Sequence, residues 1–420
     1  MSPRQTSPDA PRRATPEASP STWFGLRRVQ SSRTVTSSNH RRSGILPYQH
    51  IRQLIAARAI RADVPIEPRQ IQPASLDLRL GTKAYRLLSS FLPERTEITS
   101  RLATVMDFYQ SDLVMYEMDL TGGAILEKGH VYLVPLLERL HLPPTLRART
   151  NPKSSTGRLD VFTRVITDLN IGFDEIRPAY NGPLYLEIVP RSFAIKVRTG
   201  LALNQIRFVR GVAAVSDSGL RALHRSAPLL YHNAPESKPV AAKDLRVDRG
   251  LFLRIDLQGS DRGPKGIIGY RAKKNSHVID LAKIGYYAAQ DFWEPIHLHK
   301  NGSLLLEPEE FYILASKERI RVPAGHAAEM VAYEAACGEL RTHYAGFFDP
   351  GFGYGRGEIT GTQAVLEVRP HDVPFLIYDG QTFFKVVYER MLEEPAQVYG
   401  VSLGSSYQYQ GLTLSKHFKV

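Results

Sequence analysis

An internal repeat constrains the fold of this 420-residue chain more than any other feature. The segments GAILEKGHVYLVPLLERLHLPP and GSLLLEPEEFYILASKERIRVPAG align so that Glu127 lies 180 positions before Glu307. The same offset joins YLEIVP to VLEVRP and pairs Glu187 with Glu367. Because several matches share one offset, the sequence predicts a tandem duplication.

The repeat also predicts the domain boundaries. They are a disordered tail at residues 1–43, a first domain at 44–210, a linker at 211–250, a second domain at 251–390 and a closing tail at 391–420. The first segment is rich in Ser, Pro, Thr and Arg and has too few apolar residues to fold alone. An Arg-rich, acid-poor segment is also typical of a transit peptide, and this alternative stays open. SDSG and NAPESKP in the linker are typical of turns.

Short β-rich runs dominate both copies. HVYLVPL and FAIKVR in the first copy, and FYILAS and FFKVVY in the second, are separated by Gly and Pro. Several short alternating strands at this spacing predict a sandwich or barrel in each copy. One helix is predicted in PYQHIRQLIAARAI, where Ile51, Leu54 and Ile55 share a face and Pro47 suits the first turn.

The composition excludes several classes of protein. No run of about 18 apolar residues and no apolar signal core occur, so we expect a cytoplasmic protein without membrane contact. The single cysteine, Cys337, excludes a disulfide framework and a cysteine-rich zinc site. Residues 1–43 hold eight arginines against two acidic residues, which is half of the net charge of +12. The mildly basic remainder favours small anions over nucleic acid as a partner.

The stretch KSSTGR, from Lys153 to Arg158, is a candidate phosphate site. Two cations and the hydroxyls of Ser154 and Ser155 can make strong hydrogen bonds to phosphate oxygens, and Gly157 lets the backbone approach closely. A polar turn with solvated charges is the alternative.

A glutamate occupies the same place in each copy, Glu187 in YLEIV and Glu367 in VLEVR. A carboxyl group in a partly apolar pocket can have its pKa raised toward neutrality and then act as a general acid and base. A glutamate that points outward from a half-buried strand is the commoner case. The recurrence in both copies favours a chemical role.

Three further segments carry candidate ligands. AGFFDPGFGYGRGE, which begins at Ala345, predicts a long β-hairpin with Asp349 at its rim, and a phosphate loop is the alternative. The tail YGVSLGSSYQYQGLTLSKHF, which begins at Tyr399, favours closure over a ligand, with a disordered end as the alternative. His297 and His299 could share a strand face and bind a metal, but no third ligand is near in the sequence.

The motifs IQPASLDLRLG, KSSTGRLDV, AGFFDPGF, VLE and YQYQGLTLSK resemble, in that order, those of dCTP deaminases, which are relatives of the trimeric dUTPases. The resemblance covers nearly everything from Gly44 onward and is closest to the two-domain bacterial form. It implies a mainly β fold of tandem dUTPase-like distorted β-barrel or jelly-roll units with a few short helices. It also implies a homo-oligomer with active sites between barrel units.

The resemblance further implies the reaction. A glutamate would deaminate dCTP to dUTP and ammonia without zinc, with Mg2+ bound through the triphosphate and dTTP as an inhibitor. Glu367 and Glu187 match the glutamate that activates water against C4 of cytosine. The block that holds phosphates and assists the catalytic water matches Lys153, Ser154, Ser155 and Arg158. The remaining nucleotide-binding matches are Ala345, Asp349, Val365, Leu366, Tyr399 and Gln410.

The two copies depart from the family pattern in different ways. The first has the Ser-Ser block but no Asp-Pro-Gly, and the second has Asp-Pro-Gly but VAYEAA in place of the Ser-Ser block. Lys153 replaces an arginine, and Ser406 stands where the family tail carries lysine. We therefore expect the first copy to handle phosphate and water and the second to supply Glu367 and the base pocket. Glu187 would then be vestigial or structural.

Two other functions are consistent with these motifs. One is a dUTPase or a bifunctional deaminase and dUTPase, because the same scaffold hydrolyses triphosphates. The glutamate after leucine and the lack of a C-terminal RGxxGFGSTG-like loop favour deamination. The other is a sensor that binds a nucleotide without turnover. Analysis of the products distinguishes the three.

Overall fold

The computed structural model describes residues 43–93, 112–234, 237–259, 262–298, 301–331, 346–370, 372–400 and 407–419, and the backbone of 340–342. Most of the predicted N-terminal tail lies outside these residues, as do Ala345, His299 and Ser406. Residues 42–420 belong to one compact unit.

The first copy is built from two main antiparallel sheets, with orders β1-β13-β8-β10 and β5-β4-β7-β11-β9. Two further strands join them, since β3 pairs with β13 and β2 pairs with β7. The strands are β1 (Gly44–Ile45), β2 (Ile60–Ala62), β3 (Leu76–Arg79), β4 (Lys83–Leu87), β5 (Val114–Asp119), β6 (Ala124–Leu126), β7 (Val131–His141), β8 (Arg147–Pro152), β9 (Val161–Ile166), β10 (Glu175–Ile176), β11 (Asn181–Pro190), β12 (Ile195–Val197) and β13 (Ala202–Arg210).

The second copy contains one large curled sheet with the path β18-β16-β20-β15-β26-β21-β23, to which β14, β22 and β24 also pair, and a small sheet of β19 and β25. The strands are β14 (Leu230–His232), β15 (Leu251–Asp256), β16 (Ile267–Ala272), β17 (Ile279–Asp280), β18 (Trp293–His297), β19 (Ser303–Leu306), β20 (Tyr312–Ile320), β21 (His326–Val331), β22 (Leu340–Thr342), β23 (Phe347–Phe348), β24 (Thr362–Pro370), β25 (Phe375–Tyr378) and β26 (Thr382–Arg390). The mainly β fold is confirmed.

Helices are few and short in the described residues. The α-helices are α1 (Tyr48–Ala56), α2 (Ser154–Gly157) and α3 (Asp217–Ser226), and the 3-10 helices span Pro68–Gln70, Ala242–Asp244 and Ala289–Asp291. The predicted N-terminal helix is confirmed as α1, which buries Tyr48 and Ile51 and has Pro47 as its N-cap. None of the helices in the described part of the chain has the length and apolarity to cross a membrane.

The repeat in the sequence is also a repeat in the structure. Strands β7, β11 and β13 recur as β20, β24 and β26, close to 180 positions later. A local hydrogen bond recurs as well. The Tyr132 hydroxyl accepts from the Glu127 amide at 2.9 Å, and the Tyr312 hydroxyl accepts from the Glu307 amide at 2.9 Å. Both copies therefore use the same β-unit, as the duplication predicts.

The segment 211–250 contains ordered elements. Ser216 caps α3, because its hydroxyl accepts a hydrogen bond from the Gly219 amide at 3.2 Å. After α3, β14 pairs with β20 of the second copy. This part of the predicted linker therefore lies against the second copy, whereas the boundaries themselves stay predictions.

The two copies share a hydrophobic core. The larger apolar cluster joins first-copy residues such as Leu186 and Phe193 to Trp293 and Phe311 of the second copy and Phe418 of the tail. A short parallel pairing of β12 with β17 also crosses the boundary. Because apolar burial dominates folding, this arrangement fixes the two copies against each other and allows both to supply groups to one site.

Candidate active site

A cavity of about 360 Å³ lies where the two copies meet. The first copy contributes the end of β8 and α2, and the second contributes β24 and the residues after β23. The C-terminal segment also lines it, through Tyr399, Tyr407, Gln410 and Lys416. Most of the predicted site residues line it, namely Lys153, Ser154, Ser155, Arg158, Asp349, Val365, Glu367, Tyr399 and Gln410.

Glu367 supplies the buried carboxyl group of this cavity. It lies on β24, opposite Ile313 of β20, and is 6% exposed. Burial raises the pKa of Glu367 to about 8, and the positive charge of Arg158 opposes this rise. Such a group can gain and lose a proton near neutral pH, which general acid and base catalysis requires.

The KSSTGR stretch turns back at the end of β8. The Gly157 amide donates to the Lys153 carbonyl at 3.0 Å, and the Arg158 amide donates to the Ser154 carbonyl at 3.1 Å. Lys153 forms an ion pair with Asp77 of β3. The turn therefore contributes two cations and two serines to the lining of the cavity.

Arg158 is fixed by the C-terminal segment. Its guanidinium donates to Gln410 Oε1 at 2.7 Å and to the Thr413 carbonyl at 3.0 Å, and it lies 3.9 Å from the ring centre of Tyr407. Ser415 adds a hydrogen bond of 2.8 Å from its hydroxyl to the Ser155 carbonyl. The described part of the tail thus contacts the candidate phosphate site directly, although its closure over a ligand stays a prediction.

Asp349 is held by an arginine from the other copy. Arg207 of β13 is fully buried and donates to Asp349 Oδ1 at 3.3 Å and to the Phe348 carbonyl at 3.4 Å. Burial raises the pKa of Asp349 to about 6, and Arg207 opposes the rise. The aspartate is therefore oriented across the boundary between the copies.

The predicted hairpin around Asp349 is wrong. Strand β23 pairs with β21 and not with β24, and consecutive turns follow it. Gly353 has a φ of 60°, and a Cβ atom there would lie 2.1 Å from the Ile320 carbonyl oxygen. The glycines thus serve a close backbone approach, and the loop contributes Phe352 to the cavity, next to the ring of Tyr399 at 5.5 Å between centres.

Two predicted site residues have their side chains elsewhere. Glu187 is not among the residues that line the cavity, and its buried carboxylate accepts from Arg164 Nε at 2.9 Å. Arg164 in turn lies 3.7 Å from the ring centre of Phe173.

Leu366 is the second of these residues, and its side chain packs in the second copy's core. Alternate residues of a strand point to opposite faces, so the side chain of Leu366 points away from the face that carries Val365 and Glu367. Its side chain therefore cannot contact a ligand that Val365 and Glu367 face.

Sequence reasoning missed several residues of the cavity. These are Arg69, Gln72, Pro152, Gln205, Asp77, Met330, Gly346, Phe347, Phe348, Phe352, Tyr407 and Lys416. Asp77 and Lys416 lie within the motifs IQPASLDLRLG and YQYQGLTLSK, so a signal was present for these two. Burial and the charge of Lys153 lower the pKa of Lys416, and Asp77 opposes this effect. Lys416 is thus a partly desolvated cation beside the candidate phosphate site.

The metal site considered from the sequence would use His297 of β18 and His299. His299 lies outside the described residues. Across the described ranges, no three His, Cys, Asp or Glu side chains form a group that could hold a metal ion. His297 is exposed and does not line the cavity.

Comparison with known proteins gives consistent matches over both copies. Residues 42–212 match the 2'-deoxycytidine 5'-triphosphate deaminase N-terminal domain, and residues 216–418 match the C-terminal domain of the same family. A 2'-deoxycytidine 5'-triphosphate deaminase from Agrobacterium tumefaciens has a crystal structure that superposes with a TM-score of 0.75 at 46% identity, over 84% of this chain and 100% of that chain.

Smaller proteins match part of the chain. A dCTP deaminase, dUMP-forming, from Sulfurihydrogenibium is 31% identical over 147 residues, which are 35% of this chain and 73% of that protein. A dCTP deaminase from Halorubrum lacusprofundi is 28% identical over 160 residues, 37% of this chain and 73% of that protein.

Proposed function

Because the chain belongs to the 2'-deoxycytidine 5'-triphosphate deaminase family, we propose that it hydrolyses dCTP to dUTP and ammonia in the cavity between its two copies. The observation that carries the proposal is the position of Glu367, a buried carboxyl group with a pKa of about 8 in a cavity that also holds Lys153 and Arg158. A proton-transfer group and a set of phosphate-binding cations therefore meet at one place.

In the proposed reaction, the Glu367 carboxylate takes a proton from a water molecule whose oxygen forms a bond to C4 of cytosine. Glu367 passes this proton to N3 as the electron pair of the C4–N3 double bond moves to N3. Glu367 then takes the proton of the new C4 hydroxyl group and passes it to the 4-amino group. The C4–N4 bond breaks as the C4–O bond becomes a double bond, and ammonia leaves. Arg158 and Ser154 would hold the water, and the charge of Arg158 keeps the pKa of Glu367 within reach of neutral pH.

The remaining groups would bind the nucleotide. Lys153, Arg158 and Lys416 present positive charge to the triphosphate, and the Ser155 hydroxyl can donate to a phosphate oxygen. Asp349, oriented by Arg207, would accept a hydrogen bond from the sugar. Mg2+ would arrive with the triphosphate and offset part of its charge, and zinc would have no role.

For Glu187 we propose a structural role. Its carboxylate already accepts two hydrogen bonds from Arg164, at 2.9 and 2.5 Å, and its side chain is fully buried. Each chain would then have one catalytic glutamate. Assembly into a homo-oligomer, inhibition by dTTP and a cytoplasmic location stay predictions.

A second candidate product is dUMP. The printed names of several relatives include the words dUMP-forming, and each of these relatives matches less than half of this chain. Incubation with dCTP and Mg2+, followed by chromatography of the nucleotides and an ammonia assay, decides between the outcomes. The proposal expects equal amounts of dUTP and ammonia. Release of dUMP and pyrophosphate would favour the bifunctional reaction, and saturable binding without ammonia would contradict both.

A further inference from the structure

We propose that Asp160, Ser192 and Arg369 form a clamp between the two copies that positions Arg158 against Glu367 for the reaction. Asp160 and Ser192 belong to the first copy, and Arg369 belongs to the second. The inference rests on the proposed function, because it assigns positioning residues to that reaction. None of the three lines the catalytic cavity, so each would act through its neighbours.

The clamp is a compact buried network. Asp160 is 0%, Arg369 4% and Ser192 6% exposed. The Arg369 guanidinium forms an ion pair with Asp160 and a hydrogen bond of 3.1 Å to the Ser192 hydroxyl, and this hydroxyl donates to Asp160 Oδ2 at 2.6 Å. Arg369 also donates to the Glu309 carbonyl. Removing one partner from a buried ion pair is strongly destabilising, so these contacts hold Asp160, Ser192 and Arg369 in one arrangement.

The network is directly connected to both catalytic groups. Asp160 lies two residues after Arg158, and Arg369 lies two residues after Glu367 on β24. Residues i and i+2 of a strand point to the same face, so Glu367 and Arg369 are directed to the same side of β24. A shift of the clamp would therefore change the separation of Arg158 and Glu367.

The backbone at Asp160 supports this role. Its φ is 54°, a conformation that residues other than glycine rarely adopt without support. Its amide donates to the Gly157 carbonyl at 2.9 Å, and its carbonyl accepts from the Arg191 amide at 2.9 Å. These contacts and the ion pair together hold the end of the KSSTGR turn in place.

The duplication argues that the clamp is specific to the catalytic boundary. At the offset of 180 positions, Arg369 corresponds to Val189 and Asp160 corresponds to Leu340. A site in which the two copies exchanged roles would therefore have Leu340 and Val189 at the clamp positions and would lack both charges. The boundary that holds the cavity has the ion pair of Asp160 with Arg369.

Loss of the clamp is expected to change the pKa of Glu367 by a measurable amount. The positive charge of Arg158 lowers the pKa of Glu367 against the effect of burial. The other charged groups that line the same cavity are Arg69, Asp77, Lys153, Asp349 and Lys416. The C-terminal segment contacts the guanidinium of Arg158, whereas the clamp holds the backbone at the end of the turn that carries it. When the clamp is lost, the end of the turn shifts and Arg158 moves away from Glu367. The pKa of Glu367 then rises, and the pH at which turnover reaches half of its maximum rises with it.

The test compares Arg369→Met with wild type in steady-state ammonia release from dCTP, between pH 6 and pH 10 at intervals of about half a unit. We expect kcat to fall by about tenfold or more and KM for dCTP to change by less than about threefold, because a misplaced catalytic pair lowers kcat. We also expect the midpoint of the pH profile to move to higher pH, and Arg369→Lys to recover part of both changes.

Glu318→Gln is the matched control. Glu318 is buried and paired with Arg254 at 2.5 Å in the same copy, and it does not line the cavity. This variant should lose stability but keep the wild-type kcat and pH midpoint. A folded Arg369→Met protein with wild-type kcat and midpoint would overturn the inference, and so would an equal loss of kcat in the control.

Ser192→Ala keeps the ion pair and covers the case in which Arg369→Met fails to fold. It should lower kcat by about twofold to fivefold, with the midpoint displaced in the same direction, and no change in either value would overturn the inference. Wild-type protein that releases no ammonia would overturn the proposed function and the clamp together. Wild-type turnover with unaltered variants would overturn the clamp alone.

Discussion

Replacing Glu367 with glutamine is expected to abolish dCTP turnover and, at the same time, to stabilise the fold at alkaline pH. Burial raises the pKa of Glu367 from 4.5 to about 8 in the folded protein. The folded state therefore binds this proton more tightly than the unfolded state. The associated stability is fully present below pH 4.5 and is lost as the pH rises to about 8. Glutamine has nearly the same shape but does not ionise, so the variant avoids this loss.

The magnitude follows from the two pKa values. Linkage between a pKa of 4.5 and one of about 8 changes the free energy of unfolding by about 4 kcal/mol between pH 5 and pH 9. The difference between Glu367→Gln and wild type should grow by this amount over the same range. Urea denaturation followed by circular dichroism at several pH values measures the difference, and an ammonia assay on the same preparations measures turnover.

Glu187→Gln is the control, because the same substitution is made at the equivalent position of the other copy. It replaces a carboxylate by an amide of the same shape beside Arg164, so we expect a loss of about 2 kcal/mol of stability, as for a hydrogen bond to a charged group. Its turnover should stay within about threefold of wild type. The reasoning is refuted if Glu187→Gln is inactive while Glu367→Gln is active, or if the stability of Glu367→Gln follows the same pH dependence as that of wild type.

Three other predictions concern pH, metal and phosphate binding. The kcat/KM for dCTP should rise with pH and level off above about 8, since the carboxylate form of Glu367 is the base, and a profile that falls through this range would contradict the assignment. Protein treated with a zinc chelator and supplied with Mg2+ should keep its full rate, and a rate that returns only with zinc would exclude the proposed mechanism. Lys416→Met should raise KM for dCTP by about tenfold but leave KM for dCMP within about twofold. The control Lys419→Met changes an exposed lysine and should not raise KM for dCTP in this way. Equal effects of Lys416→Met on both substrates would show that Lys416 does not belong to the phosphate site.

The sequence was sufficient to predict the fold class and the meeting of two motifs from different copies. The common offset of 180 positions predicts equivalent units. The first copy lacks Asp-Pro-Gly and the second lacks the Ser-Ser block, which predicts that the two copies supply different groups to one site. The structure places Lys153 and Arg158 of the first copy in one cavity with Glu367 and Asp349 of the second.

Contacts between residues on different strands were harder to predict from the sequence. Glu187 and Arg164 are 23 positions apart, and their ion pair depends on the register of β11 with β9, which local patterns do not specify. Similarly, Arg369 and Asp160 are 209 positions apart, and their contact follows from the packing of the copies. The segment SDSG differs, because a serine followed by aspartate also predicts a helix start, and Ser216 does cap α3.

The number of nucleotides bound by each chain tests most directly whether two copies build one site. Glu367→Gln protein titrated with dCTP and Mg2+ in an isothermal calorimeter can bind nucleotide without consuming it. One dCTP per chain is the predicted result, because the cavity takes Lys153 and Arg158 from one copy and Glu367 from the other. Two dCTP per chain would contradict the account, since a second site would then exist in which Glu187 is the corresponding glutamate.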